Sequence, residues 1–454
     1  MAPSKEPKIF NERCQAADEM AGFTVSWEEN DQMNPIYISK FRRWLITMIV
    51  LFGSLCVSCT SSMYSTTYDQ LIKDFDCICP LFLSPLSEFY GRRYIYIVSF
   101  TFFVIWLIPC AVAKNIQTMI ISRFFNGLAG SAFLSVAGGT VGDLFDRHEL
   151  ALPMMLYTAT PFIGPEIGPL VGGFINQYTT WRWTFYVLLI WAGVMLVSII
   201  FLIPETYHPV LLKHKAEKLR QETGDDRWKA PIEKSQKSVK QTVLQSMYRP
   251  ILLLTIEQMC LSLCVISAIL LGILYLFFGA FQLISSNVYS FSTSQCGLCF
   301  LGLLVGMALT IITDPFWPIL GGPLVTTGLF IFAWTIYADV HWIVPIIGSA
   351  VFGAGTILVY SGIFTFLVDA YPLFAASALA ANSFTRSTFS GIFPLFGIQM
   401  KARLALTSGI LYDKLGYHWA ISLLAFLTLV MAPFPYIFFR YGSQIRGKSR
   451  FADL

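Results

Sequence analysis

The chain has 454 residues, of which 55% are hydrophobic and 13% charged, against about 25% charged in soluble proteins. Mean hydropathy is +0.62. So few charges cannot coat a water-soluble enzyme of this length, and the apolar runs are continuous rather than alternating, so the chain reads as an all-α integral membrane protein.

A spanning helix takes about 20 apolar residues, so twelve would use roughly 240–300 of them. Residues 1–40 are polar, lack a cleavable signal pattern and read as a disordered cytoplasmic tail. After Arg42 and Arg43 the chain is uncharged from Trp44 to Tyr68, the first span. A short apolar stub, Cys77–Ser87, lies between Asp76 and Glu88. Four fuller stretches follow: Tyr94–Ala113, Met119–Gly142 with only Arg123, Leu150–Gln177 with only Glu166, and Trp183–Pro204. The composition then flips. Residues 205–250 crowd Lys213, Lys215, Lys218, Arg220, Arg227 and other cations between Pro204 and Pro250, with a surface helix expected over Val210–Glu222. From Gln258 to Thr313 there is no charge, room for two spans and a turn near Ser285–Ser294. Pro315–Ala338, Trp342–Val368, Ala370–Met400 with only Arg386, and Leu415–Phe439 close the set.

This organisation predicts a helix bundle over 41–204, a middle loop over 205–250, a second bundle over 251–440 and a tail over 441–454. Basic loops stay cytoplasmic, so both termini and the middle loop lie inside and each half needs an even number of spans. The second half supplies six. The first supplies five and the stub, which at 1.5 Å per residue is about half the needed length. Span 2 therefore reads as truncated.

The net charge of +4 leaves no basic, aromatic-interleaved patch for nucleic acid. The ten cysteines are scattered, and Cys296 and Cys299 form a C-x-x-C inside an apolar stretch, read as buried thiols. The five histidines lie far apart, so no metal or cofactor is expected.

Three motifs carry mechanism. Ser84-Pro-Leu-Ser-Glu88-Phe-Tyr-Gly91-Arg92-Arg93 puts a carboxylate four residues before paired arginines. It suits an electrostatic latch between helices at the inner face, or a plain positive-inside anchor. In the fourth span, Arg123-Phe-Phe-Asn126-Gly127-Leu-Ala-Gly130-Ser131-Ala132 places a cation where it needs a partner or a watery cavity, unless it snorkels from the outer end. The fifth span is the most specific. Gly164, Gly168 and Gly172 recur every four residues, as do Pro161, Pro165 and Pro169, and Gly173 follows. Glycines admit a neighbouring helix backbone and prolines bend the helix. Glu166 within this pattern is either a protonatable group or an exposed charge near a helix end.

In this order the motifs resemble the loop 2–3, helix 4 and helix 5 signatures of the major facilitator superfamily, the last similar to its proton-coupled antiporters. Trp181-Arg182-Trp183-Thr184-Phe185-Tyr186, Pro204-Glu205-Thr206-Tyr207, Glu222-Thr223-Gly224-Asp225, Val368-Asp369-Ala370-Tyr371-Pro372-Leu373 and Ala378-Leu379-Ala380-Ala381-Asn382 resemble the fungal twelve-span drug:proton antiporters. The likeness runs from about Asn34 to Phe451. It implies two six-helix halves and proton-coupled efflux of a small organic compound (a drug, toxin, secondary metabolite or polyamine). Nutrient uptake, uniport and a non-transporting relative are the alternatives. It also implies an inner gate latch at Glu88, Gly91, Arg92 and Arg93, proton coupling through Arg123, and an antiporter helix built on Gly164, Pro165, Gly168, Pro169 and Gly172. Ser84 and Phe89 depart from the usual latch pattern.

Tyr275, Phe278, Gln282, Tyr360 and Asn382 are candidate cavity residues on second-half helices, and Asp369 and Arg386 either pair across that cavity or sit at helix ends. The expected partners are the small organic substrate, protons and the bilayer, with no nucleic acid. The expected state is a monomer in the cell membrane, or alternatively the vacuolar one. Against the family pattern, about 20 residues are missing after Cys77, one span's worth. A basic loop is absent at Asp314–Trp317, and Lys401–Ile410 is surplus. These breaks look like exon-boundary errors.

Overall fold

A computed structural model describes residues 25–27, 31, 33–63, 91–146, 149, 151–225, 227–230, 233, 239–312, 318–337, 339–371, 375–406, 412–434, 436 and 440. In the first half these form α1 (Lys40–Ser62), α2 (Arg92–Val112), α3 (Ile116–Leu144), α4 (Ala151–Tyr178) and α5 (Trp181–Leu202). The middle loop holds α6 (His208–Thr223) and α7 (Val239–Ile256). The second half contains α8 (Gln258–Tyr289), α9 (Thr293–Ile312), α10 (Pro318–Thr335), α11 (Ile343–Ala370), α12 (Ala375–Leu406) and α13 (Tyr412–Met431). Seven of the described helices are long and apolar enough to cross a membrane. The others carry the prolines, the buried charges or a shorter apolar stretch, and α4, α10, α12 and α13 pack alongside the seven. The family of helices is thus the five-plus-six set expected from the charge-free runs. The stub of span 2 and Asp314–Trp317 lie outside the described residues. Lys401–Leu406 continue α12, and 407–411 are likewise outside them.

Each half has its own core. In the first, Tyr96, Phe100, Phe103 and Phe133 stack between α2 and α3. In the second, Phe277, Phe281, Phe300, Phe332 and Phe352 interlock four helices. Phe162 of α4 crosses over: its ring lies 4.4 Å from that of Tyr360, inside the second core. The turn between α8 and α9 forms where expected, with Ser290 in the left-handed region at φ 53°.

Two boundaries differ from the sequence reading. Pro250 does not end the middle loop; it lies inside α7, which runs on to Ile256. The tail is not wholly without structure. Val25 is buried with Ala216 and Ala230, and its amide donates to the Lys229 carbonyl at 3.2 Å. Trp27 packs edge-on to His208, and Asp31 accepts from Lys215 at 2.6 Å. Polar composition hid one apolar and one aromatic anchor, enough to dock a strand of tail on α6.

Candidate functional site

A cavity of about 150 Å³ lies where the two halves meet. The first half contributes Ser58, Thr60 and Ser61 of α1, Arg123, Asn126 and Ser131 of α3, and Pro161 and Phe162 of α4. The second contributes Leu271 and Tyr275 of α8 and Arg386, Ser387 and Ser390 of α12.

Arg123 does not snorkel. Its Nη1 donates to the Thr60 carbonyl at 2.9 Å, and its guanidinium lies 5.1 Å from the Phe185 ring centroid. Both contacts are interior, which fits the high cost of a lipid-facing cation. Asn126, one turn on, is buried and donates to the Phe103 carbonyl at 2.8 Å. Arg386 is packed against three rings, at 5.6 Å from Phe162, 5.9 Å from Tyr360 and 5.6 Å from Phe364.

Of the other candidate cavity residues, Tyr275 lines the space. Phe278 does not: it is 3% exposed and sits in the second core against Phe300. One turn of helix separates the two roles, and aromatic character alone does not distinguish them. Tyr360 is fully buried, its hydroxyl donating to the Ser267 carbonyl at 2.6 Å, and reaches the site only through Arg386 and Phe162. Asn382 is fully buried, and among the described residues neither its amide nitrogen nor its oxygen has a hydrogen-bond partner. The side chains of Gln282 and Asp369 lie outside the described residues.

The glycine–proline helix α4 is unbroken from Ala151 to Tyr178 despite Pro161, Pro165 and Pro169. Its glycines serve two neighbours. Gly164 and Gly168 face α1, where a Cβ on either would collide with Ser58 or Ser62, and the Gly164 carbonyl accepts from the Cys59 thiol at 3.2 Å. Gly173 faces α9 of the other half. A Cβ there would lie 2.8 Å from the Thr293 carbonyl oxygen, and one on Gly297 would lie 2.8 Å from that of Pro169. Backbone meets backbone across the halves, and Gln177 accepts from the Ser294 amide at 2.8 Å at the end of this contact. Gly172 and Pro165 are buried in the same helix. Glu166 is not an exposed helix-end charge: it is 1% exposed, and among the described residues neither carboxyl oxygen has a hydrogen-bond partner.

Two carboxylates from outside the Glu88–Arg93 motif, Asp143 and Glu205, meet its arginines. Glu88 lies outside the described residues. Arg92 Nε is 2.5 Å from Asp143 at the end of α3, its Nη1 donates to the Val136 carbonyl, and its guanidinium covers the Tyr207 ring. Glu205 caps α2, accepting from the Arg92 and Arg93 amides at 2.9 and 3.2 Å and from those of Thr206 and Tyr207 at 3.0 Å. Orphan amides at a helix start need such an acceptor. Gly91 has φ 90°, and a Cβ there would strike the Glu205 carboxylate. The cluster joins the start of α2 to the ends of α3 and α5, all within the first half. Asp143 and Glu205 escaped the sequence reading of roles. The Pro204-Glu205-Thr206-Tyr207 motif marked one of them, but nothing local pairs either with Arg92.

A sequence profile described as the Major Facilitator Superfamily matches residues 75–394. The chain is 54% identical over 460 residues to "Efflux pump atB" of Aspergillus terreus, covering 95% of this chain and 90% of that one. That alignment spans more positions than this chain contributes, so the relative carries residues that this chain lacks. It is 38% identical to "Probable drug/proton antiporter YHK8" of Saccharomyces cerevisiae, covering 92% and 87%. Among solved structures it superposes on the human organic anion transporter MFSD10 with a TM-score of 0.60 at 13% identity, covering 86% and 98% of the two chains. On the proton:xylose symporter XylE the TM-score is 0.56 at 15% identity, covering 88% and 96%. The paired helical halves, the glycine–proline helix between them and these likenesses agree: the chain belongs to the major facilitator superfamily of membrane transporters.

Proposed function

We propose that the protein is a secondary transporter of the cell membrane that exports a small organic compound in exchange for protons, working as a monomer because one chain holds both halves. The efflux-pump and drug/proton-antiporter names of its relatives support the direction and the coupling. The observation that carries the coupling is Glu166, a buried carboxyl with no hydrogen-bond partner on either oxygen among the described residues. A charge in that position is costly, whereas a neutral carboxyl costs far less. Glu166 rides on the one helix that presses its glycines against α1 on one side and α9 on the other. Gaining or losing a proton there changes the energy of packing between the halves, which is what a coupling site must do.

In the proposed cycle the halves rock about the α4–α9 contact, exposing the cavity to one side and then the other. The Arg92, Asp143 and Glu205 cluster keeps the inner ends of the first half moving as one body. Substrate leaves as a proton enters through Glu166, with Arg123 holding the neighbouring wall of the cavity to the Thr60 carbonyl.

Purified protein in liposomes, challenged with neutral, anionic and cationic single-ring compounds under an imposed pH gradient, tests this. Wild type is expected to concentrate at least one of them, whereas Glu166→Gln exchanges it across the membrane without concentrating it. A Glu166→Gln protein that concentrates substrate as wild type does removes Glu166 from coupling. A wild type that moves none of the compounds removes the transport reading.

A further inference from the structure

We propose that the cavity is selective for a small single-ring organic anion, with Arg386 as its anchor; this deepens the transporter reading by naming its substrate class. The charge balance comes first. Arg123 and Arg386 both line the cavity, and none of its described lining residues is Asp or Glu. A cationic substrate such as a polyamine would meet two like charges there.

The two arginines differ in the contacts that hold them. Arg123 already donates to the Thr60 carbonyl. Arg386 makes no ion pair and no hydrogen bond among the described residues; its contacts are the faces of Phe162, Tyr360 and Phe364. Ring faces steady a guanidinium electrostatically but take none of its five N–H donors. A planar fork held by stacking, with its donors unspent, matches a carboxylate in two-point geometry. Its placement inside a membrane protein without a counter-charge is expensive until an anion arrives.

Size and walls narrow the class further. A cavity of about 150 Å³ is the size that holds a benzene ring and falls below the range for drug-sized ligands. Leu271, Phe103 and Val57 supply apolar wall for a ring, and Ser387 and Ser390 supply hydroxyls beside Arg386. Because Arg123 belongs to the first half and Arg386 to the second, an anion seated between them attracts the halves toward each other. Such a ligand binds the closed arrangement more tightly than an open one, the differential affinity that alternating access requires.

Thermal stabilisation of the purified wild-type protein by benzoate, benzamide, benzylamine, phenyl phosphate and acetate tests the class. Benzoate is expected to stabilise at concentrations at least tenfold below those needed for benzamide, benzylamine or acetate. Equal or better stabilisation by benzamide or benzylamine overturns the anion. Equal stabilisation by acetate overturns the ring, and tighter binding of phenyl phosphate replaces carboxylate with phosphate. Absence of stabilisation by benzoate overturns the proposal outright. Arg386→Gln is expected to weaken benzoate at least tenfold and leave benzamide unchanged, with Arg386→Lys recovering part of the loss. If benzoate binds Arg386→Gln as it binds wild type, Arg386 is not the anchor. Should Arg386→Gln not fold, the wild-type series still decides. Proton-coupled movement of a neutral or cationic ring but not benzenesulfonate in liposomes would sink this inference while leaving the transporter reading intact.

Discussion

The inner ends of the first half and the central cavity both gather charged side chains, and they treat them in opposite ways. At the inner ends Arg92 meets Asp143, a carbonyl and a ring, and the Glu205 carboxylate accepts four backbone amides. In the cavity region Arg386 packs against three rings, and Glu166 and Asn382 are buried without hydrogen-bond partners among the described residues. Saturated polar groups hold helices in one arrangement. Unsaturated ones are costly to bury, so in the proposed cycle the contrast sets a clamp against working parts.

The largest effect that sharpens this contrast is expected at the clamp. Asp143→Asn leaves the nearly buried Arg92 without its counter-charge, and losing one partner of a buried pair costs about 3 kcal/mol. The expected outcome is a clearly lower melting temperature in detergent, with substrate affinity of the surviving protein unchanged. If stability holds and coupling is lost instead, the inner cluster belongs with the working parts and the contrast collapses.

A smaller effect of opposite sign is expected at Asn382. Replacing a buried amide that has no hydrogen-bond partner among the described residues by Leu, of similar volume, removes a desolvation penalty and should stabilise the protein by about 1 kcal/mol. If Asn382 completes its bonds in another state of the cycle, Asn382→Leu is the more stable protein and the slower transporter. Equal transport rates would mark Asn382 as a bystander. Measuring melting temperature and initial transport rate on the same preparation separates the two results.

The helices were legible because each is a long charge-free run, a one-dimensional signal. So were Arg123, Glu166 and Arg386, because a charge inside such a run stands out. The glycine–proline repeat revealed a tightly packed helix, but not that Gly164 and Gly168 serve α1 while Gly173 serves α9. A repeat of four drifts around the helix, and which neighbour it meets depends on the packing of the halves. Partners distant in sequence were not legible at all. Arg92 lies 51 residues from Asp143 and 113 from Glu205, too far for any local motif to pair them. Phe278 was misplaced for the same reason, since one helix turn decides between core and cavity.

The docked tail is a third kind of polar contact, and the smallest effect is expected there. Asp31 and Lys215 form a close pair beside α6, and the Lys215 hydrogen bond holds the Asp31 carboxyl below its ordinary value. A carboxyl lowered on docking adds stability above its free value of about 3.9, and that stability is lost as pH falls through the lowered value. At neutral pH the contribution is therefore complete, and acid alone weakens it. Asp31→Asn removes it at every pH, but Val25 and Trp27 keep their contacts with Ala216 and His208. Amide hydrogen exchange in α6 should accordingly rise by a factor of about three to five, as for loss of one partly exposed pair. Transport should not change, because the pair touches neither the clamp nor the cavity. A transport defect in Asp31→Asn would instead tie the tail to the cluster through His208, whose Nε2 lies 3.1 Å from the Asp143 carbonyl oxygen, and would make the clamp adjustable rather than fixed.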